Sequence, residues 1–241
     1  MRISRIYLHS ALSSHSLVTL AEKPSHYISK VLRLKAGAEL LVFNGDGSQY
    51  PAVIEEAGKK SVTIRTAEGK YIDNESPLSI HLGIAISKGD RMELVIQKAT
   101  ELGVTAITPL TSERTEVKLK GERLEKKLQH WQHIAISACE QCGRNQIPVV
   151  NNLSTADDWV KTVDAEKKLV LHHRTEQALD ASLSIRSSAL LVGPEGGLSQ
   201  REIVEAEQQG FIPLQLGPRV LRTETAPLAA ITLLQHIWGD M

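Results

Sequence analysis

Three segments in the last third of the chain combine an apolar run with residues that could bind a ligand. "KKLVLHH" ends in Leu171 followed by His172 and His173, "SALLVGPEGG" ends in the turn 193–197, and "FIPLQLG" ends in Leu216 and Gly217. Each apolar run predicts a strand that is followed by a loop. The loops at the carboxyl ends of parallel strands share one edge of the sheet, where ligands bind. The three loops therefore form the candidate binding site.

The turn 193–197 departs from the loops that bind phosphate. A phosphate loop carries Lys followed by Ser or Thr after its glycines, whereas Leu198 and Ser199 stand at those places. The glycine spacing of a dinucleotide fingerprint is also missing. Glu195 within the turn would repel a pyrophosphate. The turn instead predicts a ligand that is uncharged or cationic where it meets this loop.

The segment "HWQHIAISACEQC" contains the ligand types of a zinc site in His130, His133, Cys139 and Cys142. On one helix with about 100° per residue, the histidines lie within about 60° of each other, and so do the cysteines. The two pairs nevertheless point to opposite faces. We therefore expect no metal, and interpret the residues as buried cysteines and surface histidines. A redox dithiol would need an exposed thiolate of low pKa, for which the sequence gives no sign.

Two further turns carry arginines. Gly143 is a plausible helix end, after which Arg144 could neutralise a phosphate or an oxyanion, or could only complement the helix dipole. Later, "RVLRTETAPLAAI" predicts a long helix with Thr223 or Thr225 as its cap and Pro227 in its first turn. The apolar stripe of this last helix predicts core packing and a subunit interface.

Charge and pattern divide the chain of 241 residues into two parts. The net charge is zero, but the first 70 residues hold ten basic and six acidic residues, a charge of +4. They predict a β-rich unit with a helix over 24–34, whose apolar stripe includes Ile28 and Val31. A basic module can grip a polyanion, although a solvated basic face is the simpler alternative.

A polar stretch around Pro77 marks the boundary, and we place the domains at 1–72 and 73–241. Strands and helices alternate after it, which predicts an α/β fold with a mostly parallel sheet covered on both faces. No apolar run reaches membrane length, the first residues lack the apolar stretch of a signal peptide, and there are only two cysteines. We expect a soluble cytoplasmic protein.

Four motifs resemble those of one protein family. "KGDRMELVIQKATELGV", "ACEQCGRNQIP", "LLVGPEGGLS" and "LGPRVLRTETAPLAAI" resemble the RsmE family of bacterial 16S ribosomal RNA methyltransferases, which modify N3 of uridine 1498. The likeness covers essentially the whole chain. The resemblance implies a SPOUT-type parallel sheet with a C-terminal deep trefoil knot, an exception among folds. It also implies a preceding PUA-like RNA-binding β-barrel, S-adenosylmethionine as the cofactor, a homodimer, and the small ribosomal subunit as the partner.

The resemblance assigns roles to particular residues. Those implied to bind the cofactor are Leu171, His172, Gly193, Pro194, Glu195, Gly196, Gly197, Leu216, Gly217, Val220, Leu221, Arg222 and Thr223. Those expected to grip RNA are Arg2, Arg5, Lys30 and Arg33.

The chemistry of N3 methylation requires that the uracil lose its N3 proton and that the resulting anion be stabilised. We expect Arg144 to steady O2 or O4, with Arg222 and Arg219 as the other candidates. The proton acceptor is Glu140 or Glu224, and the sequence does not rank them. Two alternatives stay open: a SPOUT methyltransferase for another RNA base, and a non-catalytic RNA-binding factor in ribosome assembly.

Overall fold

The computed structural model describes residues 3–58, 61–172, 179–180 and 182–241, so Arg2 lies outside the described residues. The chain packs as two units. We name them the N-terminal unit, residues 1–75 with 139–147, and the C-terminal unit, residues 76–138 with 148–241. The predicted boundary after residue 72 falls shortly before the end of the first segment. The segment 139–147, which that prediction gives to the second domain, packs with the N-terminal unit.

The N-terminal unit is built on a largely antiparallel sheet. Its strands are β1 (Ser4–Tyr7), β2 (Leu17–Thr19), β3 (Glu39–Phe43), β4 (Ser48–Ala57), β5 (Val62–Thr66) and β6 (Lys70–Tyr71). Within the described residues their order is β1-β3-β4-β5-β2, with β6 paired to β4 and only β1–β3 parallel. The alternating apolar residues fill one core, which includes Ile6, Val42, Ile54 and Ile64.

The helix predicted over 24–34 forms with a different periodicity. It begins as α1 (Glu22–His26) and continues as a π-helical turn over Tyr27–Val31. Ile28 is fully buried, but Val31 is 59% exposed, so the predicted apolar stripe is wrong at that position. The reason is the wider i→i+5 turn, which carries Leu32 instead of Val31 back towards the core. Lys30, one of the residues expected to grip RNA, is exposed.

The C-terminal unit is an α/β layer structure. Its strands are β7 (Ser79–Ala85), β8 (Ala106–Thr111), β9 (Val149–Val150), β10 (Ser154–Thr155), β11 (Lys167–Leu171), β12 (Ser187–Val192) and β13 (Ile212–Leu214). The order of the described strands is β10-β8-β7-β12-β11-β13, with β9 also on β8, and every pair is parallel. The predicted parallel sheet is confirmed.

Helices cover both faces of this sheet. They are α2 (Arg91–Glu101), α3 (Gly121–Cys142), α4 (Ala156–Thr162), α5 (Gln200–Gln208) and α6 (Thr225–Trp238). On β12, Leu190 and Val192 face one apolar cluster with α2 and α6, while Leu191 faces a second cluster with α4 and α5. Because side chains alternate along a strand, one strand contributes to both cores. α3 ends at Cys142, and Gly143 follows with a φ of 94°, as predicted for a helix stop.

A polar cluster lies inside the C-terminal unit around His81 on β7. The Nε2 atom of His81 lies 2.7 Å from Thr108 Oγ1, 3.4 Å from Asn151 Nδ2 and 3.4 Å from Trp159 Nε1. The indole N–H of Trp159 and the side-chain NH2 of Asn151 can only donate, so this nitrogen is the acceptor of a neutral ring. Burial lowers the pKa of His81 below its ordinary value of 6.5.

We expect acid to destabilise the protein through His81. The unfolded chain takes up a proton near pH 6.5, while the folded ring resists it until a lower pH, so the free energy of unfolding falls as pH drops below 6.5. The stability that the neutral His81 ring contributes is fully present above pH 6.5. Urea titrations at pH 7.5 and 5.5 measure it, and His81→Gln should weaken the pH dependence. His133→Gln, at an exposed site on α3, is the control and should retain it.

Among the described residues, no helix is both long enough and apolar enough to span a membrane.

Candidate active site

A cavity of about 690 Å³ lies in the C-terminal unit at the carboxyl ends of β11, β12 and β13. These strands are neighbours in the sheet, so the loops that follow them meet at one edge, as predicted. All thirteen residues predicted to bind the cofactor line it: Leu171, His172, Gly193, Pro194, Glu195, Gly196, Gly197, Leu216, Gly217, Val220, Leu221, Arg222 and Thr223. The structure thus brings together residues that are up to 52 positions apart, from 171 to 223.

Other residues on the cavity wall were not predicted as cofactor ligands. They are Arg91, Arg114, Val192, Leu198, Leu214, Gln215, Arg219, Glu224 and Ala226. Arg91 and Arg114 follow the carboxyl ends of β7 and β8, the next strands in the sheet. The rule used for the three late loops, that loops at the carboxyl ends of parallel strands share the ligand-binding edge of the sheet, could have placed both there.

The glycine loop, residues 193–198, is closely packed at Gly193. A Cβ on Gly193 would come within 2.9 Å of the Leu198 backbone nitrogen. Gly197 has a φ of 69° and donates its N–H to the Pro194 carbonyl at 2.8 Å. A side chain at either position would be excluded by space or by backbone conformation. At Gly193 and Gly197 the loop thus presents only main chain to its surroundings.

The glycine loop ends in a firm helix start. Ser199 caps α5 and forms a reciprocal capping box with Glu202, so the helix begins directly after Ser199. The second carboxylate oxygen of the buried Glu202 accepts the backbone N–H of Glu113 at 2.9 Å. This bond ties the start of α5 to the turn after β8.

Glu195 points to neighbouring protein groups. Its Oε1 accepts the backbone N–H of Lys88 at 3.2 Å and a bond from Arg91 Nη1 at 2.8 Å. Burial alone would raise the pKa of Glu195, but hydrogen bonds from its own and the Lys88 backbone N–H, together with Arg91, outweigh it and lower the pKa. The carboxylate is therefore charged, and much of that charge is matched by Arg91.

The third loop leads into α6 without a hydroxyl cap. The N-cap is Glu224, whose side chain makes no capping bond, so the prediction of Thr223 or Thr225 as the cap was wrong. The N–H groups of Thr225 and Ala226 both donate to the Arg222 carbonyl at 2.9 Å, and Pro227 has no N–H. The first turn therefore needs no side-chain acceptor.

Glu224 is a residue of the cavity wall with a buried carboxylate oxygen. Its Oε2 is buried and has no hydrogen-bond partner among the described residues. The nearest cation is Arg91, with Nε at 3.7 Å. A buried carboxylate oxygen without a donor is costly, so this atom is available to a donor on a ligand. Arg219 and Arg222 are exposed on the same loop.

Arg144 and Glu140, the other predicted catalytic residues, lie in the N-terminal unit. Arg144 is buried and donates from Nε to Glu75 at 3.0 Å. Glu140 accepts the backbone N–H of Tyr7 at 2.9 Å. Burial raises the pKa of Glu140, opposed by that bond and by Arg5. Both residues therefore hold the segment 139–147 in its unit.

Arg5 takes part in the same arrangement. It donates to Gln49 Oε1 and Asn145 Oδ1, both at 2.7 Å, and its guanidinium lies 4.8 Å from the centre of the Phe43 ring. Burial lowers the pKa of Arg5. Of the residues predicted to grip RNA, Arg5 is thus engaged inside the unit, whereas Lys30 and Arg33 are exposed.

The four residues that were weighed for a zinc site differ in their exposure. His130 and His133 are exposed and Cys139 is buried, but Cys142 is exposed, which corrects the prediction of two buried cysteines. A hydrogen bond with Cys142 and burial raise the pKa of Cys139. No group of three or more His, Cys, Asp or Glu side chains in the described part of the chain is placed to hold a metal ion.

Two models of known protein families match this chain. Residues 74–235 match the model of an RNA methyltransferase domain, and residues 20–66 match that of an RNA methyltransferase PUA domain. The ribosomal RNA small subunit methyltransferase E of Buchnera aphidicola from Schizaphis graminum is 42% identical over 100% of this chain and 98% of its own. The chain belongs to the RsmE family.

Two solved structures of similar proteins match this chain over its full length. An RsmE protein of Neisseria gonorrhoeae, bound to S-adenosyl methionine, is 38% identical with a TM-score of 0.92 and 100% of both chains covered. A Legionella pneumophila methyltransferase, solved with the bound cofactor SAM, is 44% identical with a TM-score of 0.95, again over 100% of both chains. The RsmE fold is therefore shared by both units of this chain.

Proposed function

We propose that this protein transfers a methyl group from S-adenosylmethionine to N3 of uridine 1498 in 16S ribosomal RNA. The observation that carries the proposal is the cavity at the strand ends, which is lined by all thirteen residues expected around the cofactor. Membership of the RsmE family and the two cofactor-bound relatives support the reaction class. The substrate would be the RNA of the small ribosomal subunit.

The residues of the cavity suit S-adenosylmethionine. The volume of about 690 Å³ lies within the usual range of about 300–1,000 Å³ for ligand pockets. A Cβ on Gly193 would meet Leu198 within the loop, so glycine at this position lets the loop fold tightly where it forms the cavity wall. Oε2 of Glu224, which accepts no hydrogen bond from the residues that the structure describes, offers an acceptor to a cationic or hydroxylated ligand. When bound, the cofactor would supply a methyl group on a positively charged sulfonium.

The protein's own part in the reaction is to position the uracil and manage its N3 proton. Glu224 is the better candidate for the proton acceptor, because it lines the cavity and its Oε2 accepts no hydrogen bond from the described part of the chain, whereas Glu140 is bonded to Tyr7 in the N-terminal unit. Arg222 and Arg219 line the same cavity and would stabilise the developing charge on O2 or O4. The ion pair with Glu75 gives Arg144 a structural task instead.

The remaining features of the proposal are the fold, the domains, the oligomeric state, the compartment and the RNA contacts. We infer a SPOUT fold in which the loops around the cavity form a deep trefoil knot, a PUA-like β-barrel in the first 72 residues, a methyltransferase domain over 73–241, and a homodimer. The cytoplasm is the compartment that contains the substrate. Lys30 and Arg33, with Arg2, would contact RNA phosphates, since the first two side chains are exposed.

The direct test is a methyl-transfer assay with labelled S-adenosylmethionine and small ribosomal subunits from a strain that lacks the enzyme, followed by mass analysis of nucleosides. We expect N3-methyluridine at one position of 16S RNA. Methyl transfer to a different base would support the alternative of a related methyltransferase. Cofactor binding or RNA binding without any transfer would support an assembly factor.

Substituting Glu224→Gln is expected to lower kcat by about 100-fold, because the amide cannot accept the N3 proton. Affinity for the cofactor should change much less. Raising the pH should partly restore the rate, since more of the uracil then loses its proton without help. Single-turnover rates between pH 7 and 9 measure both effects. Glu140→Gln is the matched variant, and a loss of rate there with none in Glu224→Gln would reverse the assignment.

A further inference from the structure

The walls of the cavity come from loops that follow separate strands, so their relative position has to be fixed by contacts between them. The glycine loop contains three glycines among its six residues, 193–198. Glycine-rich segments lose much conformational entropy when they are ordered. The internal bond from Gly197 N–H to the Pro194 carbonyl restrains only the turn itself. Side chains outside the loop must supply the rest.

Arg91, the first residue of α2, reaches two of the walls. Its Nη1 lies 2.8 Å from Glu195 Oε1 in the glycine loop, and its Nε lies 3.7 Å from Glu224 Oε2 at the start of α6. The side chains of Arg91 and Glu195 are each 37% exposed, and that of Glu224 is 20% exposed. One guanidinium therefore bridges two carboxylates that belong to different loops, in a partly desolvated setting.

The Lys88 backbone adds to the same anchor. Its N–H donates to Glu195 Oε1 at 3.2 Å, three residues before Arg91 in the turn that leads into α2. Glu195 thus binds both the main chain and the side chain of one segment. The carboxylate in the middle of this glycine turn is the attachment point of the turn to α2.

Arg114, in the turn after β8, holds the other side of the glycine loop. Its Nη1 donates to the Gly196 carbonyl at 2.8 Å and approaches the Leu198 carbonyl at 3.4 Å. Its aliphatic stem covers Gly196, where a Cβ would lie 3.4 Å from the Arg114 Cβ. Glycines have no side chains of their own to orient the carbonyls of the loop, so this contact sets its direction.

We propose that Arg91 and Arg114 are positioning residues that clamp the glycine loop from two sides and preform the cavity before the ligand binds. Arg91 also keeps Glu224 at its place beside the loop. The part that concerns the cofactor rests on the proposed function. The part that concerns the loop does not, because every contact lies within the C-terminal unit and involves no ligand.

The ligand-free test is amide hydrogen exchange in Arg91→Ala and Arg114→Ala, read at the Gly197 N–H. We expect exchange about tenfold faster in each variant, because local opening of the loop is no longer opposed. Lys161→Ala is the control, since it removes an ion pair with Glu205 on α5 at 3.2 Å, away from the loop. Unchanged exchange at Gly197 in both arginine variants would overturn the clamp, whatever reaction the protein performs.

The second test is calorimetric titration of the same variants with S-adenosylmethionine. A preformed cavity binds more tightly than one that must be ordered, so we expect Kd to rise about tenfold in Arg91→Ala. Adding Glu195→Gln to Arg91→Ala should cause little further loss, because the two side chains act through one contact. Arg91→Lys should recover only part of the affinity, since one ammonium cannot serve both carboxylates in the same way.

Two outcomes of the titration would contradict the proposal. Full recovery in Arg91→Lys would show that a single charge suffices and that no bridge is needed. Strictly additive losses in the double variant would show that Arg91 and Glu195 act independently. Wild-type protein that fails to bind the cofactor while Gly197 shows the expected exchange would instead reject the proposed function and keep the clamp.

Discussion

Replacing Arg144 by Ala is expected to lower the stability of the N-terminal unit by about 3 kcal/mol, because the change leaves a largely buried carboxylate without its partner. The side chains of Arg144 and Glu75 are only 7% and 15% exposed, and Nε and Nη2 of Arg144 both donate to Glu75. Exposed ion pairs contribute far less, about 0–1 kcal/mol. Arg65→Ala breaks such an exposed pair with Glu55 in the same unit and is the matched control.

The distribution of aromatic residues allows each unit to be followed separately. All four tyrosines, at positions 7, 27, 50 and 71, lie in the N-terminal unit, and all three tryptophans, at 131, 159 and 238, lie in the C-terminal unit. In urea titrations of Arg144→Ala, the tyrosine signal should shift to lower denaturant. The tryptophan signal should shift less.

A double variant separates the loss of the ion pair from the cost of leaving a buried carboxylate unpaired. In Arg144→Ala with Glu75→Ala, no carboxylate is left unpaired, so we expect part of the lost stability to return. A tyrosine transition that does not move in Arg144→Ala would contradict the structural role. Loss of turnover with full stability would then restore the catalytic role expected from the sequence.

Gly193→Ala is expected to raise the Kd for S-adenosylmethionine by about 100-fold while lowering stability by only about 1–3 kcal/mol. The new Cβ would lie 2.9 Å from the Leu198 nitrogen and 3.0 Å from its Cγ. Neither the main chain nor this buried side chain can yield without moving the loop. Overpacking at this point therefore displaces the wall that faces the ligand.

The matched control is Gly210→Ala, after the end of α5. Gly210 has a φ of 85°, and nothing lies within 4 Å of the position that a Cβ would take, so alanine there strains the backbone without a clash. It should lower the free energy of unfolding by about 1 kcal/mol and leave cofactor affinity unchanged. Calorimetric titration and urea denaturation of both variants separate the effects. Wild-type affinity in Gly193→Ala would show that the loop does not approach the cofactor closely.

Sequence patterns were most informative where a strand ends. The parallel sheet and the grouping of three loops both follow from local periodicity and from one rule about strand ends. The roles of Arg91 and Arg114 could not be read in this way. Their partners lie 104 and 82 positions away, and no local pattern specifies such pairs.

Other features depended on competition between contacts. A hydroxyl cap for α6 was a reasonable expectation, but the Arg222 carbonyl already accepts two of the first N–H groups. Val31 became exposed because the helix widened by one position per turn. The packing of segment 139–147 with the N-terminal unit could not be predicted for a similar reason. α3 is one continuous helix, and only tertiary bonds such as that from Arg5 to Asn145 decide what its last turn packs against.

The packing of segment 139–147 with the N-terminal unit affects how the protein folds while it is synthesised on the ribosome. The first 75 residues emerge long before the segment 139–147 that completes their unit. Until then Arg5 lacks Asn145, Glu75 lacks Arg144, and the Tyr7 N–H lacks its acceptor. The module that is translated first can therefore reach its final packing only after more than half of the chain has been made.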